Sequence, residues 1–132
     1  MDFTIIPASW APYLLSIFRI FCGLLLLQHG TAKFFHFPVV PMFANLSFSS
    51  MFGIAGFFEL IGGALLVIGL LTRPVAFILS GMTAVAYFYA HAPRGFFPIL
   101  NGGETVILFC FGLLYIAAAG GGPWGIDAAR RK

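Results

Sequence analysis

Charge is what this sequence has least of. Only 8% of its 132 residues are Asp, Glu, Lys or Arg, while 61% are apolar and the mean hydropathy is +1.01. Soluble domains carry about a quarter charged residues, so the chain is expected to be an integral membrane protein. Cysteine is almost as scarce. Cys22 and Cys110 both fall in apolar stretches and form no Cys-x-x-Cys pair, which excludes a secreted disulfide scaffold and a redox dithiol. They read as small buried hydrophobes. The basic residues form no patch, so nucleic-acid binding has no support. The Glu-x-x-His pairs of di-iron carboxylate bundles are missing as well. The opening Met-Asp-Phe-Thr-Ile-Ile-Pro lacks the basic region and cleavage site of a secretory signal, so the first hydrophobic segment is expected to be retained.

What the chain does have is long apolar runs broken by Pro and Gly. A spanning helix takes roughly 20 mostly apolar residues, and residues 11–35, 52–71, 74–91 and 103–119 are four candidates. The fold class expected is all-α: a single-domain transmembrane four-helix bundle. Pro38 and Pro41 break the first connection, and Pro93 and Pro98 the second; both are rich in Phe and should lie in the interface. Thr72-Arg73-Pro74 reads as a tight turn with Pro opening the third helix. Asn101-Gly102-Gly103-Glu104 reads as a cap with an acid in the first turn of the fourth. Arg73, Arg130, Arg131 and Lys132 share a side with both termini, whereas the opposite connections hold only Arg94. The basic-residue bias therefore makes the terminal face cytoplasmic, and Trp10 and Trp124 anchor that level.

The few ionisable residues are unevenly placed. In the first span Arg19, Cys22, Leu26, His29, Lys33 and His36 are three or four apart and share one helical stripe. Glu59 lies with Ala55, Gly62, Gly63 and Leu66 on a small-residue face suited to close helix packing. Tyr87 and His91 share a stripe with Ser80 and Ala84. At 1.5 Å per residue, His29, Lys33, Glu59 and Tyr87 all fall within roughly 10 Å of the outer face, with His91 and Glu104 near its edge. Arg19 sits roughly 12 Å from the opposite end, with snorkelling, a backbone carbonyl or a bundle water as its outlets.

Ionisable groups at membrane depth are costly and tend to mark functional sites. A plain structural role would pair Glu59 with Lys33 or His29, and Glu104 with His91 or Arg94, fixing helix register alone. The functional reading is a polar pocket that admits a lipophilic molecule sideways from the bilayer, and a quinone or quinol fits: its oxygens need hydrogen bonds and its reduction needs proton relays. His29, His91 and Tyr87 would bind the ring, while Glu59, Glu104 and Lys33 would carry protons and charge. A b-type haem between His29 and His91 is the other cofactor to weigh, but their depths differ. Electrons would come from a partner subunit.

The series Arg19, His29-Gly30, Lys33-Phe34-Phe35, Glu59 with Gly62-Gly63, Gly69-Leu70, Thr72-Arg73, His91, Asn101-Gly102-Gly103-Glu104, Gly122-Pro123 and Asp127 resembles the DoxX family over nearly the whole chain. The resemblance implies a four-helix protein of the bacterial cytoplasmic membrane, with quinone-linked redox chemistry of the thiosulfate:quinone oxidoreductase kind. His36 stands where members often have glycine. A non-catalytic accessory or assembly subunit of a larger membrane complex, or a small proton-coupled carrier, are the alternatives.

Overall fold

The computed structural model describes residues 3–131; Lys132, counted above in the basic-residue bias, lies outside them. Among the described residues the fold is all-helical. Helix α1 runs Ala11–Phe35, with Pro12 in its first turn, and ends on His36 in the left-handed conformation (φ 52°). Helix α2 runs Met51–Ile68 and is capped by the Ser50 hydroxyl, which accepts from Gly53 N–H at 3.2 Å. Helix α3 runs Thr72–Ala86 and continues as a wider π turn over Tyr87–His91, where Ala92 N–H reaches back five residues to Tyr87 O. A short α4 (Pro98–Asn101) precedes α5 (Glu104–Ala119), and α6 (Ile126–Arg130) closes the chain.

Three of these, α1, α2 and α3 with its extension to Arg94, are long and apolar enough to cross a membrane. Helix α5 is apolar but has 16 residues, short of the roughly 20 a straight crossing takes. Three to four apolar helices thus make up a membrane bundle. The second helix stops at Ile68, three residues before the expected Leu71, because Gly69 (φ 71°) turns the chain into a left-handed C-cap. There Leu70 N–H bonds Leu65 O at 3.0 Å and Gly69 N–H bonds Leu66 O at 3.2 Å. The third helix begins at Thr72, so Pro74 occupies its third position and not its first. Asn101 is likewise not the N-cap of α5. It ends α4, and Gly103 holds the cap position.

Packing divides the bundle into two hairpins. Helix α1 lies closely along α2, and α3 along α5, with the hairpins meeting between α2 and α3. Cys22, Leu26, Leu66, Ala76, Leu79, Leu113 and Ile116 fill the centre. Water does not drive helices together inside a bilayer, so close van der Waals fit must hold them. The α1–α2 seam shows how: a Cβ on Gly30 would come within 2.6 Å of Leu60 N, and one on Gly63 within 2.7 Å of Leu27 N. Two backbones in near contact leave no room for a side chain at either position.

The segment after α5 folds back over the start of α1. Arg19, 1% exposed, donates from Nη1 to Gly121 O at 2.5 Å and from Nη2 to Trp124 O. Ser16 Oγ donates to the same Gly121 O at 3.0 Å and accepts from Trp124 N–H at 3.1 Å. A bundle carbonyl, one of the outlets expected for Arg19, is therefore what it finds.

Asp127 binds the tail to the α2–α3 turn: its carboxylate accepts from Leu71 N–H at 2.9 Å and Thr72 N–H at 2.8 Å. It is an N-cap delivered from 55 residues away. Burial works to raise the Asp127 carboxyl, but the amides of Thr72 and Leu71 and the charge of Arg131 outweigh it, so its pKa lies below the ordinary carboxylate value. A depressed folded pKa stabilises above the unfolded value and loses that contribution as pH falls through the folded one. Asp127→Ala is therefore expected to cost about 0.5–2 kcal/mol at neutral pH. The gap between variant and wild type should close in thermal melts taken progressively below about pH 4; a gap that persists undiminished there would show that the charge plays no part.

Candidate functional site

The α1–α2 seam places the site. Because Gly30 and Gly56 are bare, the helices approach closely enough for the Lys33 stem to lie against Gly56, where an added Cβ would sit 3.0 Å from Lys33 Cδ. That brings Lys33 Nζ to Glu59 Oε1 at 2.5 Å. Both residues are buried, at 5% and 6% exposure. The ammonium also lies over two rings, Phe43 at 5.5 Å and Phe52 at 5.9 Å from their centroids, an arrangement in which ring quadrupoles replace some of the lost hydration. Phe43 comes from the connection after α1 and is itself buried. The apolar loop thus forms a roof over the ion pair.

Glu59 keeps its second oxygen for another neighbour. Oε2 is 3.9 Å from His29 Nδ1, and the His29 side chain is 47% exposed. The expected inward stripe of α1 therefore holds for Arg19, Cys22, Leu26 and Lys33, which are buried, whereas His29 stands at its edge and His36 is exposed. An exposed imidazole, a buried carboxylate and a buried ammonium follow one another from the surface inward. The 3.9 Å gap must shorten to about 2.6–3.2 Å, or take one water, before a proton could pass.

A second group gathers on the other hairpin. Asn101, 1% exposed, donates from Nδ2 to Tyr87 Oη at 3.1 Å and to Gly95 O at 3.0 Å, while its Oδ1 accepts from Gly103 N–H at 2.8 Å. His91 Nδ1 is 2.9 Å from Asn101 O. A carbonyl only accepts, so Nδ1 carries the proton and Nε2 is left free. The Tyr87 and His91 rings stack with centroids 6.3 Å apart, on the π turn. Asn101 is the hub of this network, and its three-residue run with Gly102 and Gly103 was the only local sign of it. Glu104, in contrast, is exposed in the first turn of α5 and makes no ion pair among the described residues. The candidate residues thus fall into two groups and one outlier, not a single cluster.

Hollows also lie beside these groups. Two apolar grooves run along the outer side of α2 and α3, of about 350 and 290 Å³; Phe58 and Ile78 line both, and Phe52 and Tyr89 line the second. Phe52 is common to the second groove and to the Lys33 site, since its ring also lies near the ammonium.

The DoxX family model matches residues 14–92, from α1 to the end of the π turn. An uncharacterized protein of Haemophilus influenzae is 42% identical over 123 residues, covering 90% of this chain and 92% of that one. No solved structure matches.

Proposed function

This chain belongs to the DoxX family of membrane proteins, and on that premise we propose that it is a quinone- or quinol-binding redox subunit of the bacterial cytoplasmic membrane, with both termini inside. The observation that carries the reading is the half-exposed His29 standing 3.9 Å from the free oxygen of a carboxylate whose other oxygen is held by buried Lys33. A quinone, when bound, supplies two-electron, two-proton carrier chemistry. The residues fit such a ligand: an accessible imidazole can hydrogen-bond a ring oxygen, and the α2–α3 grooves offer apolar walls to a lipid-like tail, joined to the polar site through Phe52.

In this reading His29 exchanges a proton with the exposed side and Glu59 holds it within the protein. Lys33 keeps Glu59 in place and stabilises negative charge. Tyr87 and His91, whose Nε2 is free, contribute a second polar contact, and Glu104 passes protons at the outer surface. Electrons pass to and from a partner subunit.

One observation favours a different reading. Lys33 and Glu59 satisfy each other across the seam, and a pair of that kind also fixes the register of α1 on α2; the chain would then be a non-catalytic accessory subunit. His29 separates the two. Protein purified mildly from native membranes should yield near-stoichiometric quinone on solvent extraction. His29→Ala should lose at least tenfold of it with an unchanged melting temperature, because the side chain is exposed. Glu59→Gln should lower quinol-dependent electron transfer. Wild-type protein that carries no quinone and binds none when it is added would hand the case to the accessory reading, and a haem absorbance band would point to the bis-histidine alternative.

A further inference from the structure

The end of the bundle opposite the Lys33 site holds the largest hollow described. It is a cavity of about 780 Å³ between the start of α1 and the end of α5, with Leu14, Phe18 and Tyr115 on its walls and Arg73 and Arg131 at its rim. Trp10 and Trp124, each about half exposed, stand at the same end, and tryptophans mark the headgroup level of a bilayer. The cavity is therefore apolar where acyl chains lie and cationic where phosphates lie.

The rim charge is only partly answered by the protein. Arg73 gives Nη1 to Ala118 O at 2.5 Å, and Arg131 gives Nε to Asp127 O at 3.3 Å. Of the five N–H donors on each guanidinium, the described hydrogen bonds use one apiece. Among the described residues Asp127 is the one acid nearby, in a smaller adjoining hollow that both arginines also line. Its two oxygens are already taken by the Leu71 and Thr72 amides, so it caps a helix instead of pairing fork to fork with either arginine. Two guanidiniums with spare donors beside an apolar trough match one occupant well.

We propose that this cavity binds an anionic phospholipid of the surrounding membrane, the phosphate held between Arg73 and Arg131 and one acyl chain lying along Leu14, Phe18 and Tyr115. Guanidinium and phosphate match in geometry as well as charge. The site is independent of the quinone reading and lies at the other end of the bundle.

The test is native mass spectrometry of the detergent-solubilised protein titrated with phosphatidylglycerol, with phosphatidylcholine of the same acyl chains, and with glycerol 3-phosphate. A basic residue near an anionic headgroup is worth about a fivefold change in affinity. Wild type should prefer phosphatidylglycerol over phosphatidylcholine by more than tenfold, Arg131→Gln should lose about fivefold of that, and Arg73→Gln/Arg131→Gln should show no preference. The one described hydrogen bond of Arg131 is an exposed contact to a backbone carbonyl, so its variant decides the matter alone if the double variant does not fold. Equal binding of the two lipids by wild type, or full preference retained in Arg131→Gln, overturns the proposal. Displacement of the lipid by glycerol 3-phosphate at similar concentration would reassign the site to a soluble phosphate and overturn it too.

Discussion

Lys33→Met is expected to destabilise the protein by about 3–5 kcal/mol, the usual cost of stripping one partner from a buried ion pair. The reason lies in what the change leaves behind. Glu59 is 6% exposed and its Oε1 is occupied by Lys33 Nζ at 2.5 Å; without the ammonium, the carboxyl has only His29, at 3.9 Å, to turn to. An acid at the centre of a spanning helix costs about 2.5–3.5 kcal/mol on insertion scales, which agrees with the lower end. Lys33→Met combined with Glu59→Leu should regain most of the loss, since a well-packed apolar pair is often neutral or better than the ion pair it replaces. Equilibrium unfolding in mixed micelles measures both. A single variant as stable as wild type would mean that the pair is solvated in the membrane and that the Phe43 roof does not close over it.

Arg19→Met should be nearly as damaging, for a different reason. Among the described residues no acid pairs directly with the guanidinium; it serves backbone carbonyls of Gly121 and Trp124. Hydrogen bonds from charged donors contribute about 1.5–3 kcal/mol each, so two of them make a loss of about 3 kcal/mol or more. The damage should also be local. Freed of Arg19, the Gly120–Gly125 segment keeps the Ser16 hydrogen bonds and the packing of Trp124 on Tyr13 but loses its two charged donors, and trypsin should cleave at Arg130 and Arg131 at least tenfold faster in the variant than in wild type. A variant that melts early yet shows an unchanged cleavage rate would separate Arg19 from the tail.

The helices themselves were plain in the sequence, because apolar length and proline placement act locally. Helix α1 begins and ends at the expected residues, 11 and 35, since Pro12 suits a first turn and the run after Phe35 contains two prolines. The turn between α2 and α3 was misjudged by three residues, although Gly69 offered a C-cap signal. What starts α3 at Thr72 is a carboxylate from Asp127, and nothing near Thr72 announces it. The same holds for Arg19, whose partners are carbonyl groups that any residue carries. For the candidate site, helical phase placed Lys33 and Glu59 on facing stripes, and the bare Gly30 and Gly56 let them meet. Phase could not separate His29 from Lys33, one turn apart, because exposure at the edge of a seam depends on the neighbour's width. Nor could it separate Glu104 from His91: a helix start and a π turn near one face look alike until Asn101 is seen tying one of them down.

The bond between Arg19 and the tail has a consequence in time. Its two partners are separated from it by more than a hundred positions of chain, so the first span emerges from the ribosome with a bare guanidinium and waits for all of that intervening chain before its acceptors exist. Until then α1 and α2 can zip together through their glycines, and α3 can pair with α5, but the two ends stay open to each other. The residue that would make α1 hard to insert alone is thus satisfied only when the segment after α5 arrives.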